Sequence, residues 1–230
     1  MFSHDLNICL DAFEKSYESA LANYAAAAAL ADLKHLSQAT SLSILSLEEV
    51  GKMMLIDGLL FARIGDECYK NYKQGYLKHR MKLNAVELYP LFLHYLSTID
   101  PRRDEARFNQ TLRIAIDDLK KKRQNICEIL GNNFTFSDLD ALKQKGFYSH
   151  EDDSGLKSNV EAIDHNLAKA VLALSWRVTD TLKFMLNCSL EKYRESFQEL
   201  REKNDEFTLA RIRNEANKLV QNIFNVSMDP

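Results

Sequence analysis

The stretch "SLEEVGKMMLI", residues 46–56, places three charged side chains and a glycine inside a run that is otherwise apolar. On a helix of about 3.6 residues per turn, Glu48 and Glu49 both have apolar neighbours one turn away. Lys52 follows Glu48 by four residues and Glu49 by three, so its ammonium group can reach either carboxylate. Gly51 leaves room for a second element to approach closely. The stretch predicts a helix that carries a charged cluster towards a core.

A buried carboxylate is costly unless it is paired, so the cluster needs a partner from another helix. The segment "KHRMKL", residues 78–83, offers His79 and Lys82 three residues apart on one helix face. The face of His79 also carries the apolar and aromatic residues Tyr72, Tyr76, Leu83 and Val86. We expect this face to point inward, so that His79 and Lys82 meet Glu48, Glu49 and Lys52 across a helix pair.

Two interpretations of this cluster remain open. A buried polar network that only fixes the register of two helices would have the same spacing, and a core histidine is often satisfied by a single carboxylate. A functional site also gathers titratable groups in this way.

The composition favours an all-α protein with one domain. The chain has 230 residues, 46% of them hydrophobic, with only 3 prolines and 7 glycines, which suits long uninterrupted helices. Helix-breaking residues divide it into predicted helices at about 5–33, 36–62, 67–96 (with a kink at Pro90), 102–130, a short one ending at Gly146, 159–188 and 191–226. The segment "GFYSHEDDSG", residues 146–155, is the clearest predicted loop.

The C-terminal part, residues 189–230, is predicted as a helical extension of a bundle that spans residues 1–188. Its apolar residues alternate steps of three and four, a pattern suited to a partner helix: Leu209, Ile212, Ala216, Leu219 and Ile223. The seam could pack within the chain or at a dimer interface.

Several classes of protein are not favoured by the sequence. The cysteines, Cys9, Cys68, Cys127 and Cys188, lie too far apart for a zinc or redox motif and are expected to be reduced core thiols. No di-iron, phosphate-loop or hydrolase motif occurs, and a metal at Glu48, Glu49 and His79 would compete with the Lys52 cation, so we expect neither metal nor cofactor. Without a long apolar run or a leader, the protein is expected to be cytoplasmic and not bound to membrane.

Nucleic-acid affinity would have to come from a local patch, because the formal net charge is -3. The predicted fourth helix has a surplus of basic residues, beginning with Arg102 and Arg103. Acidic residues four positions before some of these bases also fit an ordinary solvated helix face.

The residues resemble a known family. The pieces "ATSLSILSLEEVGK" at 39–52, "HRMK" at 79–82 and "GFYSHEDD" at 146–153, with their spacing, resemble the abortive infection V (AbiV) family of bacterial phage-defence proteins. The resemblance implies a helical bundle of the HEPN type (higher eukaryotes and prokaryotes nucleotide-binding) with about six to eight helices. Such proteins are commonly homodimers and often metal-independent ribonucleases.

Carried over by motif, the candidate catalytic residues are Glu48, Glu49, Lys52, His79 and Lys82. One feature departs from the HEPN pattern: no arginine precedes a histidine by four to six residues, and the nearest substitutes are Lys143 or Lys145 before His150. Lysine lacks the planar fork with which arginine binds phosphate. The candidate RNA contacts are Arg102, Arg103, Lys145, Tyr148 and His150.

Two functions are therefore compared. The first is an abortive-infection effector that arrests growth or translation after triggering by a phage-encoded protein, acting on RNA as a metal-independent ribonuclease. The second is a non-catalytic helical module that binds a nucleotide or a regulatory or phage protein.

Overall fold

Seven α-helices dominate the part of the chain that the structure describes. The computed structural model describes residues 6–61, 78–89, 92, 105–131, 134–148, 150–152, 155–157, 163–187 and 190–202. The helices are α1 (Leu6–Asp32), α2 (Leu36–Phe61), α3 (His79–Ala85), α4 (Glu105–Leu130), α5 (Leu139–Phe147), α6 (His165–Asn187) and α7 (Leu190–Glu202). The all-α prediction is confirmed.

A small hairpin lies in the segment that the sequence predicts as a loop. Strand β1 (His150–Asp152) pairs in antiparallel register with β2 (Gly155–Lys157). Helix α5 also continues through Phe147, so the prediction of a loop from residue 146 is corrected. Three-residue strands without apolar alternation give little sequence signal, which is why the hairpin was not expected.

Residues with positive φ follow the C-terminal ends of α1 and α4. Lys34 ends α1 in the left-handed region at φ 68°, and the N–H groups of Lys34 and His35 donate to the carbonyls of Ala31 and Leu30, the hydrogen-bond pattern of a Schellman motif. Gly131, at φ 108°, follows the end of α4.

Helix α6 begins later than predicted. The Asp164 carboxylate accepts hydrogen bonds from the N–H groups of Asn166 and Leu167, at 2.9 and 3.1 Å, and so caps the helix. Ile163 and Asp164 are therefore outside the helix that the sequence placed from about residue 159.

Helix α2 is the central element. It packs against α1, α3, α5 and α6, and its apolar residues Ile44, Leu47 and Met53 are fully buried. Burial on several sides explains why α2 is apolar around most of its circumference. A charged side chain that α2 carries inward needs partners from these neighbouring helices.

Helix α7 packs against the start of the bundle. The buried Tyr193 ring stacks on Phe13 with centroids 4.9 Å apart and meets Phe92 edge-on at 5.9 Å. Its hydroxyl donates a 2.6 Å hydrogen bond to Asp57 of α2. Next to it, Arg194 pairs with Glu14 of α1 at 2.5 Å.

The remaining sequence predictions concern the cysteines, membrane-spanning helices and residues outside the described ranges. Cys9 and Cys127 are buried in the core, as predicted. Within the described ranges, no helix combines the length and apolarity needed to cross a bilayer. The following lie outside the described residues: Cys68, Cys188, Tyr72, Tyr76, Pro90 and the seam from Leu209 to Ile223.

Candidate functional site

Glu48 of α2 lies at the centre of a buried charged cluster. Its side chain is 3% exposed. Oε2 lies 2.6 Å from Nδ1 of His79 on α3, and Oε1 accepts a hydrogen bond from Nζ of Lys143 on α5. Both carboxylate oxygens are thus partnered, which is the condition for keeping such a group inside a protein. Three helices far apart in sequence meet at one carboxylate.

Lys143 is the cation of this cluster. Its side chain is 3% exposed, and its ammonium group also lies 2.8 Å from Oδ1 of Asp140, one turn earlier on α5. Burial alone would lower the pKa of Lys143, but the hydrogen bonds and negative charges of Asp140 and Glu48 outweigh it and raise the pKa above its ordinary value. Lys143 therefore remains positively charged at neutral pH.

Small residues let α5 lie directly on α2. A Cβ atom at Gly146 would overlap the Ser41 hydroxyl and the Ser37 carbonyl oxygen. The Ser41 hydroxyl donates a 2.8 Å hydrogen bond to the backbone carbonyl of Lys143. Close approach and this bond together place the lysine side chain beside Glu48.

Gly51 has the same role for α3. A Cβ atom there would overlap the backbone carbonyl of Lys82, so only glycine permits this crossing. The sequence-based expectation that Gly51 makes room for another element is confirmed. The crossing brings the start of α3, with His79, next to Glu48.

The prediction that His79 faces inward is wrong in one respect. Its Nδ1 does meet Glu48, but the side chain is 57% exposed. His79 is the first residue of α3, and only later residues of that helix, such as Leu83, are buried. The helix predicted from about residue 67 to 96 is not continuous: Lys78 is extended, with φ -108° and ψ 123°, so His79 begins a short helix of seven residues and does not lie inside a long one. The ring therefore lies between a buried carboxylate and solvent.

The other candidate catalytic residues are placed at the rim. Glu49 pairs with Lys52 at 3.2 Å, and both side chains are 22% exposed. Lys82 is half-buried on α3, one turn after His79, and has no ionic partner among the described residues. Glu49 and Lys82 are therefore near the cluster in sequence and fold, but Glu48 alone forms its centre.

Of the five candidate RNA contacts, the structure describes the side chains of Lys145 and Tyr148. Lys145 is exposed on the side of α5 away from Lys143, where it borders a cavity of about 460 Å³ between α5 and the end of α4. Tyr148 is 65% exposed. His150 lies in β1; Arg102 and Arg103 are outside the described residues.

Sequence reasoning named Lys143 only as an alternative phosphate contact and did not assign it to the cluster. A usable signal existed: Leu139, Lys143 and Gly146 share one face of a short helix, and all three are buried. A lysine between two buried positions on one helix face needs an anion opposite it. Glu48, on another helix, supplies that anion.

The metal prediction stays a prediction. Among the residues that the structure describes, no three His, Cys, Asp or Glu side chains are grouped so that they could hold a metal ion. Lys143 occupies the side of Glu48 where a cation would otherwise be needed.

Comparison with known protein families gives a match over most of the chain. A family model described as AbiV, of the HEPN group, matches residues 8–179, about three quarters of the chain. The matched segment includes Glu48, His79 and Lys143 and ends before α7. No curated protein matches, and no solved structure matches.

Proposed function

Because this chain belongs to the AbiV family of abortive-infection proteins, with their HEPN-like helical fold, we propose that it is a defence effector that cuts RNA without a metal ion. The observation that supports this is the pairing of a buried glutamate with a half-exposed histidine, Nδ1 to Oε2 at 2.6 Å. A carboxylate in that position orients an imidazole for proton transfer. A histidine fully enclosed in the core would not be accessible to a substrate.

The chemistry assigned to His79 is general base catalysis. With Nδ1–H donating to Glu48, Nε2 is the nitrogen that accepts the proton of a ribose 2′-hydroxyl. The 2′-oxygen then forms a bond to phosphorus while the bond from phosphorus to the 5′-oxygen breaks, and that leaving oxygen takes a proton from a water molecule. The products are a 2′,3′-cyclic phosphate and a 5′-hydroxyl end. Glu48 stabilises the imidazolium ion that forms.

Positive charge near the phosphate would come from Lys82 and Lys52. Lys82 follows His79 by one turn of α3, and Lys52 lies on α2 one turn after Glu48. Lysine ammonium groups stabilise charge that develops on a phosphorane. Glu49 holds Lys52 at 3.2 Å and is assigned a supporting role.

An effector of this kind has to stay inactive until infection. We assign the trigger to a phage-encoded protein that shifts the conformation or the assembly of the effector. HEPN domains often dimerise, and we propose a homodimer that acts in the cytoplasm. The chemistry above does not depend on which surface forms that dimer.

A second function competes with this one. The ion pair of Lys143 with Glu48 links α5 to α2 and is buried, which favours a cluster that only fixes the positions of helices. In that case the protein is a non-catalytic module that binds a nucleotide or a regulatory or phage protein.

The test uses the purified 230-residue chain with total bacterial RNA and a synthetic single-stranded RNA, in EDTA, with and without phage lysate. We expect cleavage that leaves 2′,3′-cyclic phosphate ends, with a rate ~10²- to 10⁴-fold lower in His79→Ala. Arg80→Ala changes the exposed neighbour on α3 and serves as the matched control. Equal cleavage by folded His79→Ala and wild type would remove His79 from catalysis; no cleavage in any condition, with growth arrest retained, would favour the binding module.

A further inference from the structure

We infer that Lys143 is a positioning residue for His79: by keeping Glu48 ionised, it determines which nitrogen of the histidine ring carries the proton. The inference rests on the proposed function for its catalytic consequence. The position of the ring proton can be measured without any activity, because it depends on the hydrogen bond between Glu48 and His79.

The carboxyl group of Glu48 can be ionised or protonated, and the two states require different hydrogen bonds with His79. An ionised Glu48 only accepts hydrogen bonds, so His79 must donate from Nδ1 and leaves Nε2 as the base. A protonated Glu48 would donate a hydrogen bond to Nδ1, and the neutral ring would then carry its own proton on Nε2. In that second state the nitrogen facing solvent has no lone pair to accept a proton from a hydroxyl.

Burial by itself favours the wrong state. Glu48 is 3% exposed, and removal from water disfavours a carboxylate. The ammonium group of Lys143 opposes this effect by direct contact with Oε1. Asp140 binds the same ammonium at 2.8 Å and keeps it in place. Lys143 reaches neither solvent nor a substrate, because its side chain is itself 3% exposed.

Other charged groups act on the cluster less directly. Glu49 and Lys52 form their own pair at 3.2 Å on α2, so their charges largely offset each other. Lys82 lies on α3 with a half-exposed side chain, where solvent screens it. The charged group that contacts Oε1 of Glu48 is the ammonium of Lys143. The other charged groups named here and Asp140 do not contact that oxygen.

The experiment is ¹⁵N NMR of the His79 ring in the intact chain near pH 8, in wild type, Lys143→Met, Lys143→Gln and Lys145→Met. We expect wild type and Lys145→Met to show the neutral ring protonated on Nδ1. Lys145 lies on the same helix but is exposed and faces away. In Lys143→Met or Lys143→Gln, the ring proton is expected on Nε2, because Glu48 without its counter-charge becomes protonated and donates a hydrogen bond to Nδ1. An imidazolium ring in these variants would instead show that Glu48 stays ionised without Lys143 and would overturn the inference.

The NMR result can be interpreted whether or not the RNA assay detects cleavage. An unchanged ring in a folded Lys143 variant would overturn the inference, and so would a wild-type ring protonated on Nε2, which needs no variant. If the protein cuts RNA, Lys143→Met should lower kcat by ~10²-fold or more with little change in KM. If it cuts none, the proposed function fails while the NMR result still decides the role of Lys143.

Discussion

The hydroxyl of Tyr193 donates a 2.6 Å hydrogen bond to Oδ1 of Asp57, which joins α7 to the central helix α2. Tyr193 is buried and Asp57 is partly buried, and α7 lies beyond the segment that the family model matches. Burial raises the pKa of Asp57 to about 7, although the hydrogen bond from Tyr193 acts in the opposite direction. The attachment of α7 therefore contains a carboxyl group that titrates near neutral pH.

The first prediction concerns Asp57→Asn. The folded protein binds the Asp57 proton more tightly than the unfolded chain does, so the stability from this group is present at acid pH. It is lost as the pH rises through about 7. Asparagine keeps a hydrogen-bond acceptor for Tyr193 and removes the charge. We expect the unfolding free energy of Asp57→Asn, relative to that of wild type, to rise from pH 5 to pH 8 by an amount on the order of a few kcal/mol.

Urea unfolding at several pH values measures this difference. Asp117→Asn on the exposed face of α4 is the matched control, and its difference from wild type should not change in the same way. A difference for Asp57→Asn that is constant from pH 5 to pH 8 would contradict the assignment.

The second prediction compares two neighbours on α7. Tyr193→Ala removes a buried ring from an aromatic cluster and should cost about 3 to 5 kcal/mol of unfolding free energy. Arg194→Ala removes exposed ion pairs with Glu14 and Asp11 and should cost less than about 1 kcal/mol. Thermal or urea unfolding ranks the two, and the reverse order would show that α7 is held by its charges.

The third prediction separates the adjacent glutamates. Glu48→Gln removes the charge that contacts both His79 and Lys143, whereas Glu49→Gln affects a partly exposed pair with Lys52. We expect Glu48→Gln to reduce RNA cleavage by ~10²-fold or more and to destabilise the fold by about 3 to 5 kcal/mol, because Lys143 loses a buried partner.

Glu49→Gln is expected to cost less than about 1 kcal/mol. Cleavage and unfolding are measured on both variants in parallel. Equal losses from the two substitutions would mean that the cluster is organised around the pair of acids and not around Glu48.

The fourth prediction concerns Gly51→Ala. The added methyl group would overlap the carbonyl oxygen of Lys82, so α3 has to shift, at a cost of about 1 to 3 kcal/mol. Cleavage should fall more than stability, since His79 moves away from Glu48. Gln110→Ala, on the exposed side of α4, controls for a new alanine in a helix. Full activity in Gly51→Ala would show that the helix crossing does not position the histidine.

The sequence predicted the parts of this site that local pattern determines. The bounds of α1 and α2 agree with the expected helices to within one residue, and the spacing of Glu48 and His79 indicated that the two would meet. Lys143 depends on the packing of α5 against α2, a contact between residues 102 positions apart in sequence. Helix periodicity gives the face of each helix, but not which faces of two distant helices come together.

The serines and glycines where α2 meets α3 and α5 have a consequence for genetics. Ser41, Gly51 and Gly146 touch no substrate in the mechanism above, yet each sets how far apart two backbones lie beside the charged cluster. A screen for phage-sensitive mutants would therefore recover bulky replacements at these three positions together with changes at His79. Loss of protection in such a screen maps the spacing of the helices as well as the reacting groups.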